Sequence, residues 1–120
     1  MSGRYDETTQ FAPDDHRAFN RRGEAFDVGE TFAGVPFEVG VAAAREVAAL
    51  TPSGMTTAQL ALKWITQQPG VSVVIPGART PEQARANAAT DAFPELSDET
   101  LAALEDVYDR DVREHVHGRW

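Results

Sequence analysis

Apolar and polar positions change their rhythm twice along this chain. Residues 1 to about 35 scatter Gly3, Pro13, Gly23, Gly29, Gly34 and Pro36 among charges, and no stretch there repeats long enough to name a helix or a strand. From Phe37 the period is helical: "FEVGVAAAREVAAL" sets Val41, Ala44, Val47, Ala48 and Leu50 at helix spacing until Pro52 and Gly54 stop it. A second helix is predicted in "TTAQLALKWITQQPG", with Thr56 as cap, Gln59 three residues on, and Pro69-Gly70 as the end. "VSVVI" follows, short, β-branched and almost wholly apolar, which predicts a buried strand at about 71–75. Thr80-Pro81-Glu82-Gln83 repeats the capping-box pattern with proline at the first helical position. A last helix starts at Ser97 with the stripe Leu101, Leu104, Val107 and Tyr108, and the tail "REHVHGRW" has no clear period and is expected to fray.

The lone strand is the odd member of this set. A single strand leaves backbone N–H and C=O groups unpaired on both edges, so its sheet partners must come from elsewhere. Either neighbouring chains supply them or the chain is part of a larger α/β protein. The irregular opening is also long for a compact domain, as expected of a ligand-covering loop or a segment lacking its context.

Composition narrows the classes. At 120 residues and 42% apolar, one domain is the default. The absence of cysteine rules out disulfide and thiolate chemistry and fits a reducing, cytoplasmic setting. No apolar leader opens the chain, and no window approaches the about 20 apolar residues of a membrane span. A net charge of -8 argues against a nucleic-acid partner, although one local positive pocket for a small anion is compatible with it.

The candidate chemistry lies in "VVIPGARTPEQARAN", residues 73–87. A strand that breaks at Pro76-Gly77 and feeds a helix N-terminus gathers free N–H groups and the positive end of the helix dipole. Gly77 admits close approach of a ligand, Arg79 offers a forked cationic donor, and Gln83 and Asn87, four apart, share a helix face where amides can read a purine or ribose. An ordinary strand-turn-helix connection with a solvated arginine explains the same residues. His115 and His117 beside Glu114 suggest a solvated tail rather than a metal site, Trp64 a core position, and Asp14, Asp15, Glu105, Asp106 and Asp109 surface charge.

"TTAQLALKWITQQPGVSVVIPGARTPEQARANAAT" resembles the C-terminal section of the aldo-keto reductase superfamily. "SGRYDETT" is similar to the segment after that family's seventh barrel strand, and "LSDETLAALEDV" to its closing helix. The resemblance implies an α/β chain: the C-terminal segment of an eight-stranded (β/α) TIM-type barrel, mostly helical with one strand. It divides into an irregular cofactor and substrate loop segment, 1–36, and helices, last strand and closing helix, 37–120. It also implies NADPH as cofactor, held by Gly77, Arg79, Gln83 and Asn87, with Gly3 and Arg4 near the pyrophosphate. Ala86 departs from a glutamate that touches adenine in many members, and Gly77 from a lysine in other branches, which leaves Arg79 as the partner for the 2′-phosphate.

The family's catalytic aspartate, tyrosine, lysine and histidine have no counterpart here. Tyr5, Lys63, Tyr108 and the histidines match no motif of that tetrad, so no catalytic residue and no metal ligand is assigned. The expectation is a fragment, a truncated reading frame or a separately encoded half: the NADPH-binding portion of a carbonyl reductase, inactive alone. Its partners would be the dinucleotide and the missing N-terminal barrel half or a second copy. The alternative is a non-enzymatic helical module that assembles with itself or a partner to complete a sheet.

Overall fold

Thr56 caps the helix that supplies Leu60, a fully buried residue of the core. The structure, a computed structural model, describes residues 5–20, 23–25 and 34–119. Its elements are α1 (His16–Phe19), α2 (Phe37–Ala49), α3 (Thr57–Thr66), α4 (Pro81–Ala88), a 3₁₀ turn (Ala89–Ala92), α5 (Asp98–Val107), a π-helical turn (Tyr108–Val112), α6 (Arg113–Val116) and a closing 3₁₀ turn (His117–Arg119). At the start of α3 the Thr56 hydroxyl accepts from the Gln59 N–H at 3.2 Å, while Gln59 Oε1 accepts from the Thr56 N–H at 3.0 Å. This is the capping box that the sequence predicts. Thr56→Ala removes one half of it and should cost about 1 kcal/mol, read as a lower urea midpoint at unchanged m-value.

α2, α3 and α5 enclose the core. Ala43 and Val47 from α2, Leu60 from α3, Leu96 before α5 and Val107 within it are buried together, with Leu50, Met55, Trp64, Leu101, Leu104 and Val112 against them. Trp64, expected in the core, is half-buried against it. On α2 the buried side runs through Phe37, Gly40, Val41, Ala43 and Val47, so the expected face is rotated: Ala44 is half-buried and Ala48 faces out.

The expected strand at about 71–75 does not form, and no strand occurs among the described residues. The α/β class, and with it the barrel segment, is replaced by a helical architecture. The reason is hydrogen bonding. A helix satisfies its backbone internally, whereas a strand needs a neighbour. Ser72 to Ile75 find no hydrogen-bond partner among the described residues, and the only backbone bond at this segment is Val71 N–H to Gln68 O at 3.2 Å. Val73 is 72% exposed and Ile75 90%, while Val74 between them is half-buried. The alternation of a strand survives without its sheet.

Two regions are more ordered than their patterns suggest. In the opening segment Asp15 caps α1 by accepting from the Arg17 N–H and also pairs with the Arg17 guanidinium. That guanidinium lies 4.4 Å from the Phe11 ring centroid and donates to the Tyr5 hydroxyl at 2.7 Å. Phe11 packs edge-on to Phe37, and Glu7 pairs with Arg45, so the segment is tied to α2. Hydrogen bonds from the Arg17 side chain hold the Asp15 carboxyl well below the usual carboxylate range, with the Arg17 backbone N–H adding to the effect. A folded value below the unfolded one means the link stabilises fully above about pH 4 and is lost as pH falls through the folded value. At pH 3, where an ordinary aspartate is mostly protonated, the Asp15 side-chain carbonyl carbon should still give a carboxylate shift by NMR; a midpoint near 3.9 would show that the link is absent.

The tail, expected to fray, is helical through Arg119. The π turn adds a residue to the register, so the apolar stripe passes from Val107 to Val112 and Val116 instead of landing on Arg110 or Asp111. Arg110 is turned outward to Glu46 on α2, to Asp106 and to Asp111, and it holds the Asp111 carboxyl below its ordinary range. Gly34, at φ 104°, receives the end of the chain: a side chain there would stand 2.8 Å from Arg119 Nη1 and 3.4 Å from Val116 Cγ1.

Candidate functional site

The loop from Pro76 to Thr80 and the first turns of α4 bring together four of the residues that the sequence singles out. Thr80 caps α4, its hydroxyl accepting from the Gln83 N–H at 3.2 Å. The capping box is only half formed, because Gln83 reaches one residue further back and accepts the Arg79 N–H through Oε1 at 2.7 Å. One turn on, Asn87 Nδ2 donates to the Gly77 carbonyl at 3.3 Å. Gly77, Arg79, Gln83 and Asn87 thus form one connected cluster on an exposed surface. Gly3 and Arg4 lie outside the described residues.

α4 itself is held from α3. Gln59 spends Oε1 on its own cap, and its Nε2 donates to the Ala86 carbonyl at 3.0 Å. Gln67 performs the same service for the chain entering α5, accepting the Leu96 N–H at 2.8 Å. The positioning role of Gln59 was not read from the sequence. The signal was there: a glutamine that closes a capping box keeps a free NH₂.

The N–H groups around the start of α4 are less available than the pattern implied. Those of Arg79 and Gln83 are used within the cluster, and Pro81 has none. The N–H groups of Thr80 and Glu82 have no partner among the described residues. An anion at this loop would therefore meet mainly the Arg79 side chain. Arg17, Arg45, Arg85, Arg110 and Arg113 each hold a carboxylate, whereas the exposed Arg79 guanidinium has no partner among the described residues. Nothing lies within 4 Å of where a Gly77 side chain would begin, and its φ is not in the left-handed region. Neither the backbone nor packing among the described residues requires glycine there. Beneath the loop, between α3 and α4, is an open cavity of about 390 Å³ lined by Leu62, Thr66, Val74, Pro76 and Asn87, among others.

The other candidates are engaged elsewhere. The Tyr5 hydroxyl accepts from Arg17, and Lys63 is buried on α3. His115 lies 3.4 Å from Glu114, while His117 contacts Tyr108 through Nδ1 and Arg113 through Nε2. Arginine can only donate, so the contact with Arg113 suits the His117 tautomer in which Nε2 accepts and Nδ1–H donates to the Tyr108 oxygen. No group of three or more His, Asp or Glu side chains able to hold a metal ion occurs among the described residues. Nor, among those residues, is any helix long and apolar enough to cross a membrane.

The model of the aldo/keto reductase family matches residues 1–109. The chain belongs to the aldo/keto reductase family, whose members are oxidoreductases that generally use NAD(P)H. No significant match was found among curated proteins or among solved structures.

Proposed function

We propose that this chain forms the nucleotide-binding portion of an NADPH-dependent carbonyl reductase, with Arg79 taking the 2′-phosphate and Gly77, Gln83 and Asn87 shaping the adenosine end of the site. The single observation that carries the reading is the Arg79 guanidinium, exposed, without a partner among the described residues and close to the positive end of α4, in a chain of net charge -8 whose other described arginines are drawn to acidic side chains or packed in the fold. A forked, permanently charged donor beside open space suits a phosphate dianion. NADPH, when bound, supplies the hydride. The chain's own residues would hold and orient its adenosine end, and none is assigned to proton transfer. Gly3 and Arg4 belong to the same proposal through family resemblance, near the pyrophosphate.

A second reading is favoured by a different observation. Val73 and Ile75 are exposed, and their backbone has no partner among the described residues, which suits a segment that adds to the strand of another chain or of a second copy. Titration with NADPH at fixed ionic strength, followed by sedimentation over a range of concentrations, separates the two. Saturable binding by a monomer supports the nucleotide reading. Concentration-dependent assembly without nucleotide affinity supports the second and overturns the first.

A further inference from the structure

We infer that Gln83 and Asn87 act chiefly as positioning residues, their side-chain amides fastening the 77–79 loop to α4 so that Arg79 is presented outward. This deepens the nucleotide reading above and rests on it for the ligand, though not for the fastening. Residues four apart on a helix lie on one face. Here that face turns back to the loop: Gln83 binds the Arg79 N–H at 2.7 Å, and Asn87 binds the Gly77 carbonyl at 3.3 Å. The two bonds have opposite polarity. Gln83 acts as acceptor, so its oxygen is committed; Asn87 acts as donor, so its nitrogen is committed. Together they fasten both ends of the Gly77-Ala78-Arg79 tripeptide, and the loop needs this because the segment before it, Ser72 to Ile75, has no bonds to described residues of its own.

The polarity makes the inference testable in the absence of any nucleotide. In the 120-residue chain, Gln83→Glu keeps an acceptor for the Arg79 N–H and should preserve its slow hydrogen exchange. Gln83→Ala should speed that exchange by roughly two- to tenfold, the loss of one ordinary hydrogen bond. At the other end Asn87→Asp keeps the shape but cannot donate, so it should shift the Ala78 amide ¹⁵N resonance as Asn87→Ala does. Both positions are on an exposed helix, and circular dichroism checks that each variant folds. With NADP⁺ as the probe, Gln83→Ala should weaken binding by roughly two- to tenfold, and this factor should vanish in an Arg79→Ala background, because Gln83 acts through Arg79. An unchanged Arg79 exchange rate in Gln83→Ala, or a factor that persists without Arg79, overturns the inference. A wild-type chain that binds no NADP⁺ overturns the nucleotide reading instead, and the exchange data still decide the fastening.

Discussion

Replacing Leu60 with alanine should lower stability by roughly 2–5 kcal/mol, the range for truncating a fully buried leucine. Leu60 has 0% exposure and stands where α2, α3 and α5 meet, packed with Ala43, Val47, Leu96 and Val107. Its removal takes away transfer free energy and leaves a cavity, which costs further stability. A domain of this size holds only about 5–15 kcal/mol in total, so the variant should melt on the order of 10–20 °C below the parent. Leu60→Met, which keeps the volume, should stay within about 1.5 kcal/mol. A Leu60→Ala variant that melts with the parent would mean the three-helix core is not the stabilising unit.

The second large effect belongs to Arg79. Arg79→Ala should weaken NADPH binding by about ten- to hundredfold, the worth of hydrogen bonds to a charged group. NADH lacks the 2′-phosphate, so its affinity should hardly change. Arg79→Lys should fall between, since an ammonium retains the charge and loses the fork. Isothermal titration at two salt concentrations makes the comparison: the parent's NADPH affinity should fall with salt and the alanine variant's much less. Equal losses for NADPH and NADH would place Arg79 away from the 2′-phosphate. The guanidinium is exposed and without a partner among the described residues, so its removal should not disturb the fold, which keeps the result specific to binding.

Helix starts were legible because the chemistry that makes them is local. Thr56, Thr80 and Ser97 each bond an N–H three residues ahead, and no distant contact is needed to foresee it. The stripe of α5 was legible for the same reason. α1 was missed because four residues carry no period; the cue was Asp15, read as surface charge, which in fact caps α1 and grips Arg17. The tail was missed because its apolar residues recur at helical spacing only after the extra residue of the π turn is allowed for. At the candidate site, the four residues and their shared face could be named from spacing. That Gln83 would reach past Thr80 to Arg79, and that Gln59 would brace α4 from α3, depends on how the two helices meet.

The strand divides the two kinds of information most sharply. Apolar alternation at 71–75 is a property of side chains, and it persists in the contrast between Val74 and its exposed neighbours Val73 and Ile75. A strand, however, is a relation between two backbones, and residues 5–20, 23–25 and 34–119 contain no second one to complete it. Amino-acid order was enough for α2 to α5, the caps at Thr56, Thr80 and Ser97, the family and the residues Gly77, Arg79, Gln83 and Asn87. Only packing in three dimensions could decide the helical class, the buried seam of α2 and the exposure of Arg79 without a partner among the described residues, because each depends on which groups distant in the chain are present to meet.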